Sequence, residues 1–119
     1  MKKYKEKIFC FDLDNVICKT KSNYYLRSKP IISTINIINK LYEKGCIIKI
    51  FTARFMGRSN ENHKIAKAKG YNFTLKQLKK WNVKYHHLIF GKPSFDVIVD
   101  DKSFNFKKNW HHSFKKKYL

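Results

Sequence analysis

The stretch Ile8-Phe9-Cys10-Phe11-Asp12-Leu13-Asp14-Asn15 decides the fold prediction for this sequence. A run of apolar residues that ends abruptly in two acids and an asparagine is typical of a strand buried on both faces and followed by a loop. Strands of that kind occur in parallel sheets with helices on the sheet faces. A carboxylate next to such a strand is costly unless a cation or an ion-pair partner neutralises it. The stretch therefore predicts both a buried strand and a functional site at its end.

Helical and strand-like patterns alternate along the rest of the sequence. Ser28-Lys29-Pro30 predicts the start of a helix that ends near Gly45, with one apolar face made of Ile31, Ile35, Ile38 and Tyr42. Further strands are predicted at Cys46–Phe51, Tyr85–Phe90 and Val97–Val99. A second helix is predicted from a capping box at Thr74–Gln77, while residues 55–70 fit either a loop or a short helix over 62–69. The tail is interpreted as a short helix or a docked arm.

This order of elements predicts an α/β fold. We expect one domain over residues 1–119, with a Rossmann-like, mostly parallel sheet flanked by helices. No uncharged run is long enough to span a membrane, and no secretory signal is expected because acids interrupt the first apolar run. The three cysteines show no metal-like or redox spacing, so we expect free thiols in a reducing cytoplasm. Cys10 is predicted to be a core residue.

The formal net charge of +19 has two interpretations. It indicates either a polyanionic partner, such as nucleic acid, or the amino-acid bias of an AT-rich genome. The lysines are scattered along the whole chain, which favours the second interpretation.

The acids are far less scattered than the lysines. There are only eight, and all five aspartates fall in two clusters, which contain Asp12 and Asp14 and then Asp96, Asp100 and Asp101. Both clusters follow predicted strands. Because parallel strands bring their carboxyl ends to one edge of a sheet, Asp12, Thr52, Lys92 and Asp100 are expected to converge there.

These residue types fit the requirements of phosphoryl transfer. Asp12 can act as a nucleophile through an aspartyl-phosphate, and Asp14 can protonate the leaving oxygen. Thr52 offers a hydroxyl donor and Lys92 a positive charge for the phosphoryl oxygens. Mg²⁺ prefers oxygen ligands and needs only one or two carboxylates, which Asp12 and Asp100 can supply.

Four motifs in order resemble the haloacid dehalogenase (HAD) superfamily of phosphatases. They are Phe11-Asp12-Leu13-Asp14-Asn15-Val16, Phe51-Thr52-Ala53-Arg54, Gly91-Lys92-Pro93 and Val97-Ile98-Val99-Asp100-Asp101. One departure is Asn15, which stands where glycine is common in the family. Asparagine tolerates left-handed backbone angles, so the turn is expected to survive.

The resemblance implies a role for each matched position. Asp12 would be the nucleophile and a metal ligand, and Asp14 would be the general acid/base and bind Mg²⁺ through its carbonyl. Thr52 and Lys92 would hold the phosphoryl group, with Ala53 and Arg54 beside the substrate. Asp100 would be a direct metal ligand, and Asp101 would act through water or by anchoring Lys92. Arg54 has an equal alternative as a structural salt-bridge residue.

The short chain leaves no room for a cap domain, only a small flap near residues 17–29. Together with the sequence around Gly91-Lys92-Pro93, this resembles the small capsule-biosynthesis phosphatases of the superfamily, and implies a sugar or polyol phosphate as substrate. The alternative is a polynucleotide or nucleotide phosphatase, or a basic nucleic-acid-binding protein. A homo-oligomer is expected, because the site is uncapped and the aromatic tail would be exposed in a monomer.

Overall fold

The computed structural model of the protein describes residues 7–119. Its strands are β1 (Ile8–Asp12), β2 (Cys18–Lys19), β3 (Lys29–Pro30), β4 (Ile47–Thr52) and β5 (His87–Phe90). Its helices are α1 (Ile32–Glu43), α2 (His63–Lys80) and α3 (Trp110–Tyr118). Single 3-10 turns lie at Tyr25–Arg27 and Gly57–Ser59. Within the described part of the chain, no helix is long and apolar enough to cross a membrane.

The main sheet is parallel, with strand order β1-β4-β5. The connection from β1 to β4 carries α1 and the connection from β4 to β5 is α2, as parallel neighbours require crossover connections. Asp12 is level with Phe51, and Thr52 is level with Phe90. All three strands therefore end at one edge of the sheet, which confirms the predicted α/β class with a parallel sheet flanked by helices.

One face of this sheet forms the core. Phe11, Ile50 and Leu88 occupy matched positions in the three strands, and all are buried. The core residues of α1 are Ile35, Ile37, Ile38 and Leu41. Two members of the predicted apolar face, Ile35 and Ile38, are thus in the core, whereas Tyr42 is exposed.

The opposite face of the sheet is largely open. Ile8 and Ile89 are 49% and 39% exposed, and Cys10 is also exposed. The prediction that Cys10 is a core residue is therefore wrong. Side chains alternate along a strand, and the alternation of β1 turns Phe11 toward the core and Cys10 away from it.

The predicted strand at Val97–Val99 is also wrong, because these residues form no regular structure. Val97, Ile98 and Val99 are 80%, 56% and 95% exposed. A strand needs ladder partners and side-chain packing to be stable, and none of the described strands pairs with this segment. The apolar composition therefore did not by itself produce a strand.

The aromatic tail packs against β1 as helix α3. Phe114 contacts Phe9 and Phe11 at ring-centroid distances of 5.7 and 6.0 Å. Trp110 and Phe114 are buried, so the tail is a docked helix. Phe106, just before the helix, remains 60% exposed, so only part of the apolar surface on which the homo-oligomer prediction depended is covered.

Helix α2 is longer than predicted. Its N-cap is Asn62, whose side chain accepts hydrogen bonds from the backbone N–H groups of Lys64 and Ile65. Thr74 lies in the middle of the helix and is buried, so the capping-box interpretation of Thr74–Gln77 is wrong. The threonine and glutamine are one turn apart and have another role, described below.

The flap, residues 17–29, closes on itself through a small antiparallel ribbon. Cys18 pairs with Pro30 and Lys19 with Lys29. Pro30 therefore belongs to β3 and is not the first residue of α1. The next residue, Ile31, still donates its backbone N–H to the carbonyl of Ile17 at 2.8 Å, so the helix begins only after it.

Candidate active site

Asp12 lies at the carboxyl end of β1 with its carboxylate held on both sides. Its Oδ1 accepts the backbone N–H of Leu13 at 2.9 Å, and its Oδ2 is 3.3 Å from Nζ of Lys92. The Asp12 side chain remains 38% exposed, against 15% for Lys92. A polar ligand can therefore reach this carboxylate from solvent.

Burial raises the pKa of Asp12, and this effect exceeds the opposing effects of the Lys92 charge and the Leu13 hydrogen bond. A nearby cation normally favours the ionised form of a carboxyl group, while desolvation disfavours it. Because more than a third of the side chain is exposed, solvent screening limits both effects. Asp12 is thus an acid whose ionised form is less favoured than in water.

Lys92 is placed by the turn after β5. Its backbone N–H donates to the carbonyl of Thr52 at 3.1 Å, which ties the end of β5 to the end of β4. Gly91 precedes it with φ +100°, and a Cβ there would lie 2.7 Å from Cβ of His63. Glycine is required at this position because of both the left-handed backbone and the close approach of α2.

Thr52 is fully buried at the end of β4. Its Oγ1 accepts the backbone N–H of Arg54 at 3.0 Å, which leaves the hydroxyl proton for another acceptor. Ala53 is half-buried between them. The structure therefore brings Asp12, Thr52 and Lys92 to the same edge of the sheet, as the order of strands predicts.

Asp14 and Arg54 form a second ion pair next to Asp12. Arg54 Nε lies 3.0 Å from Asp14 Oδ2, and Arg54 Nη2 lies 2.9 Å from Asp14 Oδ1. The arginine is 1% exposed. Of the two roles that the sequence leaves open for Arg54, the structure shows the salt bridge. Directly after Asp14, Asn15 has φ 68°, which confirms the expected left-handed turn.

Several partners of this ion pair were missed by the sequence analysis. Thr20 and Ser28 come from the two ends of the flap, and Thr74 and Gln77 come from one face of α2. The available signal was the spacing of Thr74 and Gln77, since residues three apart share a helix face. For Thr20 and Ser28 the sequence has no comparable signal.

The predicted metal ligands do not converge. Asp100 and Asp101 are exposed, as is Asp96, and Asp100 Oδ1 accepts the backbone N–H of Lys102 at 2.8 Å. Among residues 7–119, no group of three or more His, Cys, Asp or Glu side chains is placed to hold a metal ion. Carboxylate oxygens are the ligand type that Mg²⁺ prefers, and of the predicted ligands Asp12 and Asp14 lie at the end of β1, whereas Asp100 and Asp101 lie on an exposed segment. The position of Asp100 follows from the absence of the predicted strand at Val97–Val99, which would have carried Asp100 to the sheet edge.

Two grooves lie elsewhere on the molecule. One of about 510 Å³ is lined by residues of α2, β4, β5 and the segment before β5, including Tyr71, Tyr85 and His87. The other, of about 230 Å³, lies between the flap and α2. Neither includes Asp12, so the candidate site is identified by the chemistry of the sheet edge and not by cavity size.

Comparison with known proteins gives a likeness of fold. The chain is similar to the crystal structure of a structural-genomics target from Vibrio cholerae, with a TM-score of 0.77 and 22% sequence identity over 93% of this chain and 98% of the other. No protein-family model and no curated protein matches the sequence. At this level of identity the likeness concerns the fold alone.

Proposed function

We propose that the protein is a phosphomonoesterase of the HAD type in which Asp12 is the nucleophile. The observation that carries the proposal is the solvent-accessible Asp12 carboxylate, 3.3 Å from Lys92 Nζ, at an edge shared with Thr52. A nucleophile, a cation and a hydroxyl donor at one place are the groups that transfer of a phosphoryl group requires.

In the proposed reaction an Asp12 oxygen attacks phosphorus. The P–O bond to the leaving alcohol breaks as the bond to Asp12 forms, and water later hydrolyses the aspartyl-phosphate to restore the carboxylate. Lys92 neutralises charge on the transferring group. Thr52 is proposed as a hydrogen-bond donor to the same group, which requires its buried hydroxyl to become accessible. Asp14 is proposed as the group that protonates the leaving oxygen, which requires one of its oxygens to be released from Arg54.

Mg²⁺ remains the proposed cofactor, with its ligands proposed as Asp12, Asp14, Asp100 and Asp101. Support comes from the order of the sequence motifs and from oxygen being the ligand type that Mg²⁺ prefers. We also propose a sugar or polyol phosphate as the substrate class, in capsule or surface-polysaccharide synthesis. The small flap leaves the Asp12 edge open to a compact polar substrate.

The test is phosphate release from sugar phosphates, polyol phosphates, nucleotides and a 3′-phosphorylated oligonucleotide, with Mg²⁺ or with EDTA. Wild type is compared with Asp12→Asn and, as a matched control, Asp96→Asn, which changes an exposed aspartate. We expect release that needs Mg²⁺, is lost in Asp12→Asn and persists in Asp96→Asn. Release that is unchanged in Asp12→Asn would overturn the assignment of the nucleophile.

A polynucleotide phosphatase is the second candidate, and the surface of α2 supports it. The helix contains six lysines and no acid, and all six lysines are exposed. Phosphate contacts made by such lysines weaken steeply as salt rises. Preference for the oligonucleotide, with affinity that falls steeply between low and moderate salt, would favour this candidate over the sugar-phosphate one.

A further inference from the structure

Arg54 is buried more deeply than an arginine usually is in a folded protein, and its donors are fully used. Nε and Nη2 donate to Asp14, and Nη1 donates to Gln77 Oε1 at 2.6 Å and to Thr74 Oγ1 at 3.3 Å. Nη2 also reaches Ser28 Oγ at 3.4 Å. One guanidinium group therefore contacts the loop after β1, the flap and α2.

The flap is attached to this cluster at both ends and at its tip. Thr20 Oγ1 donates to Asp14 Oδ1 at 2.6 Å and is also 2.6 Å from Ser28 Oγ. At the tip, Gln77 Nε2 donates to the carbonyl of Tyr25 at 2.7 Å. The Tyr25 ring centroid lies 4.8 Å from the Arg54 guanidinium carbon, within the range of a cation–π contact.

We infer that Arg54 is a positioning residue that fixes the Asp14 carboxylate and fastens the flap to α2. The inference rests on the proposed function for the role of Asp14, but the attachment of the flap is independent of it. Because Asp14 accepts from both Arg54 and Thr20, a change in the position of the flap acts on the same carboxylate that the proposed reaction uses.

The geometry requires arginine in particular. A planar guanidinium group makes a bidentate pair with a carboxylate while its third nitrogen reaches other acceptors, whereas a lysine ammonium group is a single point of charge. Lysine at position 54 therefore keeps the charge next to Asp14 but cannot keep both the paired geometry and the contact with Gln77.

The two halves of the inference are separated by two substitutions. Arg54→Lys removes the paired contact that holds the Asp14 carboxylate, so it should lower kcat. Gln77→Leu removes the donor to the Tyr25 carbonyl and one acceptor of Arg54. This change loosens the flap, so it should mainly raise KM. Asn72→Leu is the control for the second change, since Asn72 is an exposed amide on the same helix.

The experiment measures kcat and KM for an alkyl phosphate and an aryl phosphate, and the rate of tryptic cleavage after Lys21 and Arg27, two exposed residues of the flap. We expect Arg54→Lys to lower kcat for the alkyl ester by about a hundredfold, the scale of a misplaced catalytic group. The aryl ester should lose less, because its leaving group needs little protonation. Tryptic cleavage of the flap should be faster in both Arg54→Lys and Gln77→Leu than in wild type and Asn72→Leu.

Equal losses for the two esters in Arg54→Lys would overturn the positioning of Asp14, and a wild-type rate of flap cleavage in Gln77→Leu would overturn the attachment of the flap. If Arg54→Lys does not fold, Thr20→Val tests Asp14 in its place, since it removes the flap donor to that carboxylate. If wild type hydrolyses neither ester, the proposed function and the role of Arg54 in positioning Asp14 fail together. The attachment of the flap to α2 is then decided by the tryptic rates alone.

Discussion

Two ion pairs, formed by aspartates two residues apart at the end of β1, differ in their exposure to solvent. Asp12 and Lys92 meet at 3.3 Å, with side chains 38% and 15% exposed. Asp14 and Arg54 meet at 2.9 Å, with side chains 21% and 0% exposed. The first pair is open to solvent and held by few contacts, while the second is enclosed and bidentate. Two aspartates of one motif can therefore have different roles. Asp12 is accessible to a ligand from solvent, whereas Asp14 holds neighbouring segments together through Arg54.

Replacing the nucleophile tests the open pair most directly. Asp12→Asn is expected to lower phosphatase kcat by about 10⁴-fold or more, because the amide cannot form the aspartyl-phosphate. Its thermal stability near neutral pH should equal or exceed that of wild type. Kinetics and calorimetry on the same preparation check both statements.

The effect of Asp12→Asn on stability follows from the protonation of Asp12 in the folded state. The folded-state pKa of Asp12 is raised, so the folded protein binds more protons than the unfolded chain between the ordinary and the raised pKa. Stability contributed by this group is therefore lost as pH rises through that window. The advantage of Asp12→Asn should therefore shrink as pH falls from the raised pKa to the ordinary one, and an advantage that grows over this range would contradict the assignment.

Breaking the enclosed pair should mainly reduce stability. Arg54→Met leaves the Asp14 carboxylate without its partner, and is expected to lower the free energy of unfolding by about 3–5 kcal/mol. Urea unfolding measures this loss. The double variant Arg54→Met with Asp14→Leu removes both charges and should recover a large part of it, whereas additive losses would mean that the pair is not coupled.

Removing the cation of the open pair should have a smaller effect. Lys92→Met is expected to lower kcat/KM by about a hundredfold through lost charge stabilisation. Because the Lys92 charge lowers the pKa of Asp12, its removal should move the acid limb of the pH–rate profile to higher pH. Lys102→Met, which changes an exposed lysine, is the control, and a limb that moves the other way would exclude an ionised Asp12 as the active form.

The smallest expected effect concerns the segment before Asp100. Val99 is 95% exposed, so Val99→Asn should change the free energy of unfolding by no more than about 0.5 kcal/mol. Val97→Asn offers a second position of the same kind. A loss of about 2 kcal/mol or more would instead mean that the segment is buried in solution, as the sequence pattern predicts, and that Asp100 can reach the sheet edge.

The parts of the fold that follow from local pattern were predictable. Buried runs identified β1, β4 and β5, and the geometry of parallel strands then brought Asp12, Thr52 and Lys92 together. Contacts between distant segments were not predictable, because no local sequence pattern around Thr20 or Gln77 indicates that Arg54 is their partner in the fold. Cys10 and Val97–Val99 show the other limit, since an apolar run does not reveal which face is covered or whether a neighbouring strand is available.

The exposed thiol of Cys10 provides a built-in labelling position. Cys18 and Cys46 are buried, whereas Cys10 is exposed and lies two residues before Asp12 on the same strand. Burial raises the pKa of Cys18 to about 11. Desolvation also raises the pKa of Cys10, so the selectivity of modification in alkaline buffer comes from the accessibility of Cys10 to the reagent, because Cys18 and Cys46 are buried. A nitroxide attached there would sense paramagnetic Mn²⁺ arriving at the end of β1, without removal of any native cysteine.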